Sequence, residues 1–138
     1  MYFDVFLSFD GDCRAALEFY TKVFQQEFPN VMTYGQVPEG DVPEADRDRI
    51  LYADIPIFGI HLMLADCPSG SDFVKGNNTC LSIGTTDAAE LKRLYTALSE
   101  DGEVEVPLGE TFFSELFGMV TDKFGVTWQL GLALAQTA

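Results

Sequence analysis

The chain has 138 residues, 47% of them hydrophobic, and a formal net charge of −14 at pH 7. This length is typical of one domain, and the apolar content is sufficient for a core, which excludes a disordered chain. The negative charge disfavours nucleic acids and anionic membrane surfaces, because both bind mainly through lysine and arginine. The acidic residues are spread along the chain, so we attribute the charge to solubility rather than to a basic partner.

The apolar runs and the cysteines limit the cellular setting. No apolar run is long enough to predict a transmembrane helix, and the first ten residues carry Asp4 and no basic flank, so we expect no signal peptide. Three cysteines without a CxxC pair predict no disulfide framework. We therefore expect a cytoplasmic protein.

The first half of the chain predicts a strand, a helix and three more strands. Asp12 is a candidate N-cap for the helix, and residues 35–49 form a polar loop without periodicity. The last two strands form a hairpin about Phe58-Gly59. The predicted elements are strand 2–9, helix 13–25, and strands Phe28–Tyr34, Ile50–Ile57 and Ile60–Ala65.

The second half predicts the same order of elements. Asp87 is a candidate helix N-cap, with Glu90 completing a capping box, and Leu91, Leu94 and Leu98 belong to its apolar stripe. A turn at 122–125 precedes the last strand. The predicted elements are strand Thr79–Gly84, helix 88–100, and strands Glu103–Leu108, Phe112–Thr121 and Val126–Leu132.

The two halves also resemble each other in sequence. FGIHLML at Phe58–Leu64 matches FGVTWQL at Phe124–Leu130. We predict an α+β fold in which two βαβββ modules, about 1–66 and 79–132 with a linker at 67–78, form a single domain. Curved, mostly antiparallel sheets with helices outside would leave an inner face suited to a pocket.

Three motifs carry a resemblance to a known family. FDGDCRAALEFY at Phe9–Tyr20, MTYG at Met32–Gly35 and FGMVTDKFGVTWQL at Phe117–Leu130 are similar to the PhnB-like branch of the vicinal-oxygen-chelate superfamily, which includes glyoxalases, bleomycin-resistance proteins and dioxygenases. The resemblance covers nearly the whole chain and implies the βαβββ repeat and a homodimer. It leaves open whether the repeats pair within the chain or across the dimer.

The resemblance also implies where a divalent metal ion would bind. Metal-dependent members use His, Gln or Glu on the first and last strands of each module, and the motif register assigns these positions to Val5, Met63, Cys80 and Gln129. Only Cys80 and Gln129 are candidate ligands, fewer than the three protein ligands of a typical catalytic zinc site. We therefore expect no complete metal site and no cofactor.

Relatives on this branch are often labelled demethylubiquinone methyltransferases. The sequence has no glycine-rich loop between a strand and a helix, which a common methyltransferase fold would use to bind its cofactor. We therefore expect the label not to describe the activity.

Two residues are weak catalytic candidates. His61, the single histidine, alternates onto the face of Met63 and would need an orienting partner such as Tyr52 or Asp54. Glu115 lies in the apolar stretch TFFSELFGM and could act as a base if it were buried. For both, an exposed residue without chemistry is the favoured interpretation.

Other residues are interpreted mainly as packing. Cys80 has no nearby cation to activate it, so we expect a small buried hydrophobic residue, and Trp128 should lie in the core. The candidate ligand-binding pocket combines the inner-face positions with the aromatic residues expected at its wall: Val5, Tyr34, Tyr52, Asp54, His61, Met63, Cys80, Phe113 and Gln129.

Three classes of function remain open at this point. The first is a non-catalytic module that binds a small, partly apolar molecule in the inner pocket. The second is a glyoxalase- or dioxygenase-related enzyme that is metal-independent or has a degenerate metal site at Cys80 and Gln129. The third is an interaction subunit whose inner face is filled by its own side chains, since a fold does not fix a function.

Overall fold

The computed structural model describes residues 1–27, 30–37 and 42–133. The chain divides into two compact units, Met1–Val74 and Lys75–Ala138. The elements are β1 (Val5–Phe9), α1 (Cys13–Val23), β2 (Val31–Thr33), β3 (Ile50–Ile57), β4 (Ile60–Asp66), β5 (Cys80–Thr85), α2 (Ala88–Ser99), β6 (Glu103–Gly109), β7 (Phe117–Thr121) and β8 (Thr127–Leu132).

Each unit is a βαβββ module, as the sequence repeat predicted. The first has a four-stranded sheet in the order β1-β4-β3-β2, and the second repeats this order as β5-β8-β7-β6. The first and last strands of each unit pair in parallel, whereas the other pairs are antiparallel. The α+β class and the mostly antiparallel sheets are therefore confirmed.

In the first unit, α1 packs on one face of its sheet through an apolar stripe, which includes the buried residues Ala16 and Tyr20. The predicted cap is wrong, because the Asp12 side chain makes no capping hydrogen bond. Asp66, which is 3% exposed, takes this role from the end of β4. Its Oδ1 accepts hydrogen bonds from the backbone N–H groups of Gly11 and Cys13, and its Oδ2 accepts one from Ile50.

In the second unit, Asp87 caps α2 as predicted, with its Oδ1 3.2 Å from the Glu90 nitrogen. The second hydrogen bond of the predicted capping box, from the Asp87 N–H to the Glu90 carboxylate, does not form. The Glu90 carboxylate pairs with Arg93 instead, at 2.6 Å between Oε1 and Nη2, and the Asp87 N–H donates to Thr85 Oγ1. An i, i+3 salt bridge therefore outcompetes the capping box.

The second unit also contains a buried carboxylate, Asp122, in the turn before β8. Its Oδ1 accepts hydrogen bonds from the backbone N–H groups of Phe124 and Val126, and its Oδ2 accepts one from Trp128 Nε1 at 2.9 Å. This arrangement fixes the 122–125 turn and holds Trp128 in the core at 2% exposure. The predicted core position of Trp128 is confirmed.

The hairpin of β3 and β4 is closed by a two-residue turn at Phe58-Gly59. Phe58 and Gly59 both have positive φ, 48° and 81°, which is typical of a two-residue turn of type I′. Phenylalanine is uncommon in this conformation, and the Phe58 ring stacks edge-on against Phe24 at 5.7 Å. The sequence placed this turn correctly because glycine meets the φ requirement of its second position.

Two predicted segments differ from the structure. The strand predicted over Phe112–Thr121 begins only at Phe117, because Thr111 and Ser114 close a turn through mutual backbone and side-chain hydrogen bonds. For the strand predicted over Phe28–Tyr34, residues 28 and 29 lie outside the described part, and the observed strand covers Val31–Thr33. Short 3₁₀ turns at Tyr34–Gln36 and Glu44–Asp46 interrupt the predicted polar loop, and residues 38–41 lie outside the described part.

Among the described residues, no helix combines the length and the apolar character needed to cross a membrane.

Candidate functional site

The first unit contains a cleft of about 450 Å³ on the face of its sheet that α1 does not cover. This volume lies within the range of small-molecule sites. β3 contributes Tyr52 and Asp54 to it, and β4 contributes His61 and Met63. The residues that line this N-terminal cleft are Tyr2, Asp4, Tyr52, Asp54, Gly59, His61 and Met63.

Strand alternation and register explain why these side chains meet. Asp54 lies opposite Met63 in the antiparallel β3–β4 pair, and Pro56 lies opposite His61. Residues opposite each other, or two apart on one strand, share a face of the sheet. The buried residues Ile55 and Leu62 occupy the other face, towards α1. Four of the predicted pocket residues therefore lie side by side in one cleft.

Three neighbouring side chains, Tyr52, Asp54 and His61, form the polar part of the cleft. Tyr52 donates its hydroxyl proton to Asp54 Oδ2 at 3.0 Å, and His61 Nδ1 lies 3.4 Å from the same oxygen. Asp4 Oδ1 accepts a hydrogen bond from the His61 backbone N–H at 2.9 Å. The hydrogen bond to Asp54 raises the pKa of Tyr52, with a further contribution from burial. Tyr52 is therefore a protonated donor at neutral pH.

The structure corrects the position of Val5. β1 pairs in parallel with β4 so that Val5 lies opposite Leu62, and Phe6 lies opposite Met63. Val5 thus belongs to the face that packs against α1, and Phe6, which is 53% exposed, occupies the face of the cleft. The sequence alignment of the first strands was wrong by one residue, and a shift of one residue reverses the face of every side chain.

In the second unit the assigned position is wrong by two residues, so the face is unchanged. Ser82, rather than Cys80, lies opposite Gln129 in the β5–β8 pair, and Gln129 Nε2 donates to Ser82 Oγ at 3.0 Å. Cys80 lies on the same face but opposite Thr127. The position in the second unit that corresponds to Phe6 is therefore Ser82.

The corrected positions do not suit a divalent metal ion. They hold Phe6 and Met63 in the first unit and Ser82 and Gln129 in the second. A phenyl ring cannot ligate and a thioether is a soft ligand, so only the Gln129 amide oxygen and the Ser82 hydroxyl remain, fewer than the three protein ligands of a typical catalytic zinc site. Within residues 1–27, 30–37 and 42–133, no three His, Cys, Asp or Glu side chains are grouped as a metal site would require.

The position of Cys80 differs from the sequence interpretation. Cys80 was expected to be buried but is exposed, whereas Cys13 is buried in α1. Burial raises the pKa of the Cys13 thiol to about 12, with a further contribution from Asp66. Desolvation raises the pKa of the Cys80 thiol as well, against a lowering by the Gln129 backbone. Neither cysteine has the depressed pKa of an activated nucleophile.

The remaining candidates lie elsewhere. Tyr34 donates its hydroxyl proton to the Asp66 carbonyl at 2.7 Å and is not among the residues that line the N-terminal cleft. Phe113 and Glu115 belong to the second unit, where residues 110–115, Leu132 and Ala133 line another cleft of about 450 Å³. Glu115 is exposed on the loop before β7, as its favoured interpretation predicted.

Three residues of the N-terminal cleft are not among the predicted pocket residues: Tyr2, Asp4 and Gly59. Tyr2 and Asp4 lie in the segment before β1, and Gly59 lies in the turn between β3 and β4. Asp4 had been read only as evidence against a signal peptide. Asp4 lies just before β1 and reaches the cleft through its hydrogen bond with the His61 backbone N–H, a contact that local patterning does not reveal.

Comparisons with known proteins agree with this architecture. The 3-demethylubiquinone-9 3-methyltransferase family model matches residues 2–131. Protein YjdN of Escherichia coli K12 is 30% identical over 141 residues, which cover 95% of each chain.

Solved structures show the same fold. A putative 3-demethylubiquinone-9 3-methyltransferase, the PhnB protein from Bacillus cereus, is 28% identical, with a TM-score of 0.79 over 96% of this chain and 100% of the other. A glyoxylase/bleomycin resistance protein/dioxygenase domain from Frankia is 17% identical, with a TM-score of 0.61 over 97% and 98%. The chain therefore belongs to the 3-demethylubiquinone-9 3-methyltransferase family, the PhnB-like branch of the glyoxalase/bleomycin-resistance/dioxygenase fold.

Proposed function

We propose that the protein binds a small molecule with apolar and polar groups in the N-terminal cleft. The observation that supports the proposal is the combination of a cleft of about 450 Å³ with the Tyr52–Asp54 hydrogen bond and the neighbouring His61. Ligand sites typically combine apolar walls with a few convergent polar groups. Here the Tyr52 ring and the Met63 thioether supply the walls, and Asp54 and His61 supply the polar groups.

The exposure of the apolar residues also supports binding. Phe6 and Tyr52 are 53% and 40% exposed on the face of the sheet opposite α1. Large apolar side chains grouped on an exposed surface often mark an interaction site. A ligand covering them would remove apolar area from water, which favours binding by about 25 cal/mol per Å².

A thermal-shift screen of small molecules tests the proposal. A ligand at a hundred times its Kd stabilises the folded state by about 2.7 kcal/mol, which raises the Tm by several degrees. We expect Tyr52→Ala to lose most of this shift. Phe112→Ala, a matched aromatic truncation in the other cleft, should retain it. The proposal fails if no compound raises the Tm, or if Phe112→Ala alone loses the shift.

A second candidate function is metal-independent acid–base chemistry at His61. The supporting observation is Asp54, whose carboxylate lies 3.4 Å from Nδ1 and orients the ring, while the side chain remains 53% exposed. An oriented imidazole within reach of a bound ligand is the usual arrangement for proton transfer. If a screen for turnover finds a substrate, His61→Gln should abolish turnover and Glu115→Gln should not affect it.

Methyl transfer is not the function we propose, despite the family's description. The turn between β1 and α1, Asp10–Asp12, contains the single glycine Gly11, and the Arg49 guanidinium would lie 3.3 Å from a Cβ at this position. Arg49 thus occupies the space beside this turn. A nucleotide-like cofactor at a strand-to-helix turn normally requires several glycines and an open backbone.

Dimerisation stays a prediction, which light scattering at micromolar protein concentration tests.

A further inference from the structure

We infer that the N-terminal cleft selects organic cations, in which a positively charged nitrogen is carried on an aromatic or apolar group. This inference rests on the proposed binding function and names its ligand class. It is drawn from three properties of the cleft: the sign of its charge, the acceptor atoms that its carboxylates leave available, and the chemistry of its walls.

The charged side chains of the cleft are predominantly acidic. Among the described residues that line it, Asp4 and Asp54 are acidic, none is a lysine or arginine, and His61 is the one basic side chain. The Asp54 side chain is only 26% exposed, so its charge is screened less than that of a fully exposed carboxylate. The cleft therefore attracts cations and repels phosphates, sulfonates and carboxylates.

Each carboxylate retains an acceptor atom. Asp54 uses Oδ2 for Tyr52 and His61, and Asp4 uses Oδ1 for the His61 N–H. Asp54 Oδ1 and Asp4 Oδ2 have no hydrogen-bond partner among the described residues. The existing hydrogen bonds also hold both side chains in place, so that little additional ordering is needed on binding.

The walls of the cleft suit the apolar part of such a ligand. Tyr2 and Tyr52 present electron-rich phenol rings, which attract cations through their faces, and Met63 presents a polarisable thioether. Tyr52 is held in position by its hydrogen bond to Asp54. The Tyr52 ring can thus contact the apolar part of a ligand while the adjacent Asp54 carboxylate contacts its charged part.

The cleft of the second unit is less suited to this role, although Glu110 and Glu115 line it. Both glutamates are exposed, and neither makes a side-chain hydrogen bond to the described residues. A carboxylate on an exposed loop is screened by solvent and must lose side-chain freedom when it binds. Glu115 therefore serves as a matched control.

Three probes of the same shape test the inference: benzyltrimethylammonium, the neutral neopentylbenzene and the anionic benzylsulfonate. The protein is labelled with ¹³C-methyl methionine, and the shift of the Met63 methyl group reports binding in the cleft. The Met119 methyl group, in β7 of the second unit, is the internal control. We expect the cation to bind at least about tenfold more tightly than the neutral probe, and the anion not to shift Met63.

Substitutions of the carboxylates test which side chains cause the selectivity for cations. Asp54→Asn and Asp4→Asn should each weaken binding of benzyltrimethylammonium by about fivefold to tenfold. Glu115→Gln, which changes the net charge equally, should leave the Kd unchanged. Raising the salt concentration should weaken binding of the cation and not that of the neutral probe.

The outcomes separate the inference from the proposed function. Equal or tighter binding of the neutral or anionic probe at Met63 overturns the cation selectivity and keeps the binding function. If none of the probes shifts Met63, the selectivity is overturned, and the thermal-shift screen decides the binding function. Equal weakening by Glu115→Gln and Asp54→Asn would also overturn the inference, because the effect would then come from net charge alone.

Discussion

The two units share one backbone plan but differ in the chemistry of their exposed sheet faces. Across the first sheet, Phe6, Met63 and Asp54 lie in one row. The corresponding row of the second sheet holds Ser82, Gln129 and Met119. The acid of the first row is thus replaced by a methionine, and the methionine by an amide. The two units therefore share the pairing of their strands and a buried core, whereas the residues on the exposed face of each sheet differ.

Each unit also has a buried carboxylate that accepts three hydrogen bonds, although the two are placed differently, and the first unit buries Asp46 as well. Asp66 joins β4 to the start of α1 and to β3, and Asp122 holds the turn before β8. Each accepts three hydrogen bonds from groups within its own unit. We expect both to be essential for stability, because hydrogen bonds to a charged group contribute about 1.5–3 kcal/mol each.

The largest expected effect comes from removing these carboxylates. Asp66→Ala and Asp122→Ala should each lower the free energy of unfolding by about 3–5 kcal/mol, since three donors, two of them buried, lose their acceptor. Urea unfolding measures the loss. The exposed Asp72→Ala should stay within about 0.5 kcal/mol of the parent protein. A loss below 1 kcal/mol for Asp66→Ala would show that the first unit does not depend on its carboxylate.

A second prediction compares the cysteines. Burial raises the pKa of Cys13 to about 12, so at pH 8 the native protein should react with a thiol reagent at Cys13 more than about a hundredfold slower than at Cys80. Mass spectrometry of partially labelled protein measures the ratio. Unfolding in urea should bring the two rates together. Comparable rates in the native state would contradict the buried position of Cys13.

A third prediction compares the helix caps. Asp87→Ala removes the capping hydrogen bond to the Glu90 nitrogen and should cost about 1 kcal/mol. Asp12→Ala should cost less than about 0.5 kcal/mol, because Asp66 supplies the acceptor at α1. Urea unfolding of the two variants measures the difference. A larger cost for Asp12→Ala would mean that the first unit is capped as the sequence predicted.

The smallest effect concerns Tyr52. Its pKa is raised mainly by the hydrogen bond to Asp54, so Asp54→Asn should lower the pKa of Tyr52 towards its ordinary value. The pKa of Tyr34, which is raised chiefly by burial, should not change. NMR titration of ¹³C-labelled tyrosine measures both. An unchanged pKa of Tyr52 would show that the hydrogen bond is not maintained in solution.

The sign of the accompanying stability change follows from linkage. A folded-state pKa raised above the value in the unfolded chain means that the protonated Tyr52 stabilises the folded state. This contribution is fully present below the unfolded pKa, near pH 10, and is lost as the pH rises through the folded value. Asp54→Asn should therefore reduce the loss of stability that the parent protein shows above pH 10.

Much of the fold could be predicted from the sequence. β3 has the predicted bounds, and the hairpin turn at Phe58-Gly59 and the apolar stripe of α2 were placed correctly. These features depend on local properties: alternation, helical periodicity and the conformational freedom of glycine. The extended strand at residues 112–116 was wrong because the turn formed by Thr111 and Ser114 depends on side-chain hydrogen bonds that apolar patterning does not reveal.

The candidate site could be predicted only in part. Tyr52, Asp54, His61 and Met63 lie on two consecutive strands of one hairpin, so alternation and a correct turn were sufficient to bring them together. Val5 was misplaced because it reaches β4 through a long-range parallel pairing. Loop length or turn type does not fix that register, and a shift of one residue exchanges Val5 for Phe6.

The sequence by itself determined the composition, the repeat and the local elements, and with them the α+β fold of two βαβββ modules. Only the tertiary structure decided which residues face the cleft, which carboxylate caps α1 and how Asp4 reaches His61. Periodicity acts over neighbouring residues, whereas these contacts join positions 53 to 57 residues apart. Their formation depends on the register of paired strands and on the need of buried donors for an acceptor.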